Sequence, residues 1–169
     1  MTLARKRMAS PVGELSLVAS ETGLEAILWR NDDPKRVRLG PVVDRDDHPL
    51  LLETERQLAD YFAGNRRSFE LNLDPSGTPF QRGLWKALAA IPFGETRSYG
   101  QLAAELGNPK AVRAVGAANG RNPISIVVPC HRVIGVSGDL TGFAGGLEAK
   151  AFLLKLEARS VGAGERRAA

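Results

Sequence analysis

The sequence predicts an α/β (α+β) fold, with a small antiparallel sheet in its first half and a helical second half. Three observations carry this expectation. Apolar and polar residues alternate in short runs over the first 30 positions. Helix-period stripes with start and stop signals follow residue 78. Between the two patterns lies "PSGT", residues 75–78, a natural junction. The 169 residues suffice for one ordinary domain or two small ones. The expected division is an α/β domain over 1–76, a helix-turn-helix domain over 77–159, and a disordered tail over 160–169, which has almost no apolar residues.

In the first domain "LARKRMAS" reads as a strand broken by "PVG". "ELSLVAS" sets Leu15, Leu17 and Ala19 against polar neighbours, "ETG" turns, and "LEAILW" follows, so the three runs form a meander. Residues 31–48 are polar and punctuated by proline, hence a loop. Residues 49–63 read as an amphipathic helix with Leu51, Leu58, Tyr61 and Phe62 on one side and Gly64 as its stop. "SFELNLD" alternates again and predicts a fourth strand.

In the second domain Thr78, Pro79 and Gln81 make a capping box with proline in the first turn. That helix carries Phe80, Leu84, Trp85 and Leu88. Ser98 and Gln101 repeat the box for "YGQLAAEL", which Gly107 ends. Asn108 caps and Pro109 starts a third helix over "KAVRAVGAAN". Two short helices joined this way suggest a helix-turn-helix. "ISIVV" is a buried strand or extended piece, "PCHRVIG" follows, and a glycine-rich loop, residues 136–146, precedes a last helix with Leu147, Ala151 and Leu154 on one stripe.

The net charge of +4 fits a nucleic-acid partner and a plain solvated basic surface about equally. One cysteine excludes an internal disulfide and points to a reducing, cytoplasmic setting. One Cys and two His at no ligand spacing predict no metal site. No apolar run approaches the roughly 18 residues of a membrane span, and no secretory signal is expected from "MTLARKRMASPVGEL".

On a helical wheel, Val112 and Val115 share the side of the third helix expected to pack inward. The other side carries Arg113, Ala117 and Gly120, and lacks the Asn, Gln and Arg set with which a major-groove helix reads bases. If this helix binds DNA, such a face implies close, sequence-independent approach, with one arginine able to enter where a base has left the stack; a solvated surface arginine is the equal alternative for Arg113.

A lone cysteine is ordinarily a small buried hydrophobe. Around Cys130 several features point elsewhere. Pro129 ends the strand, His131 and Arg132 make an electropositive setting that favours thiolate, and glycines follow. On an extended strand His131 would face away from the sulfur unless the chain bends, so a bridging water is the expected proton route. Glu157, near the C-terminal end of the last helix where the macrodipole disfavours a carboxylate, is a candidate to orient the imidazole.

"RAVGAANGRNPISIVVPCHRVIG" followed by "LTGFAGG" and "LLKLE", with "SYGQLA" upstream, closely resembles the O6-alkylguanine-DNA alkyltransferases (methylated-DNA–protein-cysteine methyltransferases). The resemblance is strong over 78–157 and looser before it. It implies a small N-terminal α/β domain and a C-terminal helix-turn-helix with a wing-like loop. It further implies a DNA repair protein that binds duplex DNA in the minor groove, without sequence preference, and flips out O6-alkylguanine. The alkyl group then passes irreversibly to Cys130, one turnover per molecule, with no cofactor. O4-alkylthymine stays open as a second substrate. His131 would take the thiol proton through water, held by Glu157. Asn122 would order the active-site turn, and Tyr99 would donate to the leaving guanine.

By the same resemblance Arg113 is the finger that fills the gap, and Ala114, Ala117, Asn119, Gly120 and Ser98 complete the DNA contact. Tyr99, Val133, Phe143, Ala144 and Gly145 would line the base pocket. A monomer in solution is implied, with cooperative binding on DNA left open. Phe143 stands where the family usually has Tyr, which puts alkyl preference in question, and the zinc ligands that some members carry in the N-terminal domain are absent here. Two other readings remain at this point. One is a Cys-His hydrolase or acyl transferase, which would turn over repeatedly. The other is a helix-turn-helix binding module with a structural Cys130.

Overall fold

A computed structural model of the chain describes residues 2–135, 137–138 and 142–168, with 162–168 as backbone alone. The first half builds β1 (Leu3–Met8), β2 (Leu15–Ala19), β3 (Leu24–Trp29), β4 (Val42–Asp44) and α1 (Pro49–Phe62). The strand order is β3-β2-β1-β4. The meander is antiparallel as expected, but β4 pairs parallel to β1, so the sheet is mixed. Residues 31–48 are therefore not only loop. The chain leaves β3 at one edge and crosses to the other, and a parallel strand needs such a crossing. On the way Val37 and Leu39 cover Leu3, Val18 and Ala26 on one sheet face. Leu15, Leu17 and Ala19 point to the other face, where α1 buries Leu51, Leu58 and Tyr61.

"SFELNLD" does not form a strand. It makes one bridge, Leu73 beside Leu24, with Leu24 N–H donating to the Asn72 carbonyl at 2.8 Å. Further along the same β3 edge, Ile27 N–H donates to the Pro123 carbonyl at 2.9 Å and Ile27 bridges Ile124. The outer edge of β3 is thus shared between the end of the first domain and a segment of the second.

The second half holds α2 (Pro79–Ala89), β5 (Arg97–Ser98), α3 (Tyr99–Glu105), α4 (Val112–Gly120), β6 (Val133–Ile134) and α5 (Leu147–Ala168). Both predicted capping boxes form, at Thr78 with Gln81 and at Ser98 with Gln101. Gly107 takes φ +81° after α3 and lets the chain reverse. Helix α4 begins later than expected, with Ala111 rather than Asn108 at its N-cap, because Asn108 accepts from Ala111 N–H in a separate turn. Val115 is buried while Val112 is exposed, so the inward side of α4 is narrower than the wheel suggests. Parallel pairing of β5 with β6 ties the start of α3 to the segment after Cys130. The loop expected to act as a wing falls partly on residues 136 and 139–141, outside the described residues.

Helix α5 corrects two expectations. Its buried side is Ala149, Lys150, Leu153, Leu156 and Glu157, whereas Leu147 is exposed. Two charged residues on the inward face hid that stripe from an apolar count. The backbone also stays helical through Ala168, where a disordered tail was expected. The helix is tied beyond residue 159, since Arg67 donates to the Ser160 carbonyl at 3.0 Å and Val161 packs on Gly94.

The junction is testable. A Cβ at Gly77 would fall 2.5 Å from the Trp85 ring, whereas one at Gly83, exposed inside α2, would meet nothing within 4 Å. Gly77→Ala is expected to destabilise by about 1–3 kcal/mol through overpacking. Gly83→Ala is expected to stabilise by roughly 0.5–1 kcal/mol through helix propensity. Urea denaturation midpoints of the two variants should move in opposite directions.

Candidate active site

Cys130 sits at the end of a tightly wired turn. The Asn122 side chain accepts from Ile124 N–H at 3.1 Å and donates to the Val128 carbonyl at 2.8 Å. Within that clasp Val128 N–H returns to the Ile124 carbonyl, and Ile126 adopts φ +75°. A β-branched residue rarely occupies that region, so the turn is held by its surroundings. After Pro129 the chain does not continue extended. Cys130–Arg132 form one 3₁₀ turn, so the strict alternation of an extended strand does not apply to Cys130 and His131. All three side chains are buried.

The centre of the network is the Glu157 carboxylate. His131 Nε2 lies 2.7 Å from Oε2, and the Tyr61 hydroxyl donates to the same oxygen at 2.6 Å. Arg132 donates Nε to Oε1 at 2.8 Å and Nη2 to Oε2 at 3.1 Å. Arg132 also donates to the Ile91 carbonyl and lies over the Phe93 ring. Because α5 runs to Ala168, Glu157 is in mid-helix, and the macrodipole argument for its role does not apply.

Burial alone would raise the Glu157 pKa, but hydrogen bonds from His131 and Arg132, with the Arg132 charge, outweigh it and hold the group at about 2. His131 is pushed down by burial, against the pull of Glu157, and Arg132 and Lys150 push the same way. The imidazole is therefore neutral beside a carboxylate. An ionised carboxylate only accepts, so Nε2 carries the proton. Nδ1 is left as the basic nitrogen, buried and without a hydrogen-bond partner among the described residues. Burial raises the Cys130 pKa, opposed by an Asn122 hydrogen bond and by the charges of Arg36 and Lys150. The site at rest holds a thiol, a neutral base and an anion.

Arg36, from the loop after β3, grips Asp32 with two hydrogen bonds and donates Nη1 to the carbonyls of Gly120 at 3.1 Å and Asn122 at 2.8 Å. It so caps the end of α4 and steadies Asn122. Lys150 is fully buried and donates to the Val133 carbonyl at 2.6 Å. The pocket candidates sit on separate elements. Val133 is buried in β6, Tyr99 is half-buried at the start of α3, and Phe143 and Gly145 lie against Trp29. Ala144 is exposed.

On α4, Arg113, Ala114, Ala117 and Gly120 are exposed. Asn119 is buried at 6% exposure and does not share that face. Ser98 is occupied as the N-cap of α3. Sequence reasoning missed Tyr61, Arg36, Lys150 and Trp29, and gave Arg132 only as positive charge beside the thiol. Tyr61 reads as one more apolar position of α1. Its only signal is a hydroxyl at a site destined for burial, which must find a partner. Among the described residues no group of His, Cys, Asp or Glu could hold a metal ion, and no helix is long and apolar enough to cross a membrane.

A helix-turn-helix joined to a mixed-sheet domain, with a buried Cys-His-Glu constellation at their junction, defines a DNA-alkyltransferase type of architecture. Residues 79–159 match the family described as 6-O-methylguanine DNA methyltransferase, DNA binding domain, and 4–75 match its ribonuclease-like domain. A methylated-DNA–protein-cysteine methyltransferase of Mycolicibacterium paratuberculosis is 61% identical over 150 residues, covering 89% of each chain. Its namesake in Methanosarcina acetivorans is 51% identical over 148 residues, 88% of this chain and 94% of that one. The crystal structure of Mycobacterium tuberculosis OGT in complex with DNA superposes with a TM-score of 0.84 at 42% identity, covering 95% and 94% of the two chains. The chain belongs to the 6-O-methylguanine DNA methyltransferase family.

The charge network sets an acid limit on stability. Both Glu157 and His131 have lowered folded pKa values, so the unfolded chain binds more protons as pH falls. The His131 contribution is complete above its ordinary value of 6.5 and fades below it, and that of Glu157 fades from 4.5 toward about 2. Glu157→Gln should lose stability at neutral pH by roughly 3–5 kcal/mol, because Arg132 is left buried and unpaired. It should also show a flatter stability profile between pH 4.5 and 2, read by denaturant titration at each pH.

Proposed function

We propose that the protein repairs O6-alkylguanine in duplex DNA by moving the alkyl group irreversibly to Cys130. The observation that carries this reading is the buried His131, with Nε2–H on the Glu157 carboxylate and Nδ1 unpartnered, next in the chain to Cys130. Burial keeps the thiol protonated, so a base must take its proton when substrate arrives. His131 Nδ1 receives it through a water, and the anionic Glu157 stabilises the resulting imidazolium. The sulfur attacks the alkyl carbon, the S–C bond forms as the C–O6 bond breaks, and the electron pair leaves with guanine. Tyr99 donates a hydrogen bond to the ring as negative charge develops there. The thioether product has no carbonyl for water to attack, so each molecule acts once. No step requires a cofactor.

DNA is held by the small-residue face of α4 against the minor groove. Arg113 enters the stack in place of the extruded base, and phosphate contacts make binding sequence-independent. The exposed side chains on α4 include no Asn or Gln set for base reading, which favours this mode. Val133, Phe143 and Gly145 shape the pocket for the flipped base.

Intact-protein mass after incubation with duplex DNA carrying one O6-methylguanine tests the chemistry. Wild type should gain one methyl and restore guanine in equal amount, and Cys130→Ser should gain none. Tight DNA binding with no mass change would leave only a binding module. For the finger, Arg113→Ala should slow repair in duplex DNA by on the order of ten- to hundredfold, the scale of the few kcal/mol that unstacking costs. Reaction with free O6-alkylguanine should be nearly unchanged, and equal losses on both substrates would remove that role.

A further inference from the structure

Trp29 closes β3 in the N-terminal domain and is 6% exposed. Its Nε1–H donates to Ser125 Oγ at 3.1 Å, inside the turn that leads to Cys130. Its ring also meets Phe143 edge-on, with centroids 5.4 Å apart and planes at 70°. Gly145 lies so close to the indole that a Cβ there would fall 2.6 Å from ring carbons. One side chain therefore touches both the turn that presents the sulfur and the loop that carries the pocket wall.

Phe143 is half-buried and has no hydroxyl with which to fix itself, so packing alone decides where its ring stands. The indole packs against that ring, so its bulk bounds where the ring can stand. Its own position is set by the hydrogen bond to Ser125. Close-packed groups of this kind do not yield gradually, so the wall keeps its distance from the turn.

We propose that Trp29 is a specificity-determining positioning residue: its indole fixes the separation of Phe143 from the Cys130 turn and so limits the size of the alkyl group accepted. The inference rests on Cys130 as alkyl acceptor and Phe143 as pocket wall. The transfer is the same for a larger group, with the S–C bond formed, the C–O6 bond broken and guanine leaving with the pair.

The test compares Cys130 alkylation rates with O6-methylguanine and O6-benzylguanine, each in the same duplex, followed by intact mass. Both substrates are read on one preparation, so the fraction of folded protein cancels in the ratio. Trp29→Leu should raise the benzyl-to-methyl ratio by about tenfold, the scale on which a pocket discriminates by volume. Trp29→Phe, which keeps a smaller ring but loses the N–H, should raise it less, and it serves where the leucine variant does not fold. Gly145→Ala should change the ratio in wild type but not beside Trp29→Leu, since the clash is with the indole. A ratio unmoved in the Trp29 variants, or additive effects of the two sites, would overturn the proposal while leaving methyl transfer intact. No methyl on wild-type Cys130 would instead remove the reading beneath it.

Discussion

The site depends on one buried carboxylate. Glu157 lies almost wholly out of water, a position that disfavours its charge, and it stays ionised because every side around it offers a donor. Arg132 supplies the compensating charge, while Tyr61 and His131 share a single oxygen. This arrangement fixes the tautomer and plane of the imidazole, and with it the one nitrogen free to act as a base. The same network binds α5, the 3₁₀ turn and α1 together, so the elements around the site cannot shift independently.

The N-terminal domain is part of this site rather than an appendage. Tyr61 reaches Glu157, Arg36 caps α4 and holds the Asn122 carbonyl, and Trp29 holds Ser125. The β3 edge completes its ladder with Pro123 and Ile124, which satisfies backbone groups of the turn that would otherwise be buried unpaired. A strained residue such as Ile126 persists only where neighbours leave it no alternative. Here the neighbours include a sheet, an arginine clasp and an indole.

The two faces of the second domain divide the work by polarity. Toward the interior, α4 and α5 present Val115, Leu153 and the charged pair Lys150 and Glu157, each engaged. Toward solvent, α4 presents small residues and Arg113. Lys150 ties α5 to β6, since its ammonium lies on the Val133 carbonyl, and it contributes positive charge near Cys130.

The sequence by itself determined what local chemistry dictates. The capping boxes at Thr78 and Ser98, the Gly107 stop, the meander, and the Cys-His pair after a proline all depend on neighbours within a few residues, and each stands where the spacing put it. What tertiary structure decided was every feature that needs a distant partner. The parallel β4, the loss of a strand at "SFELNLD", and the helical continuation of α5 past 159 each follow from contacts across tens of residues. The inward face of α5 was misread because buried Lys150 and Glu157 look like surface residues until their partners are known. Tyr61, Arg36 and Trp29 escaped notice for the same reason. Each contacts a partner more than 80 residues away, a separation at which no sequence period exists to reveal the pairing.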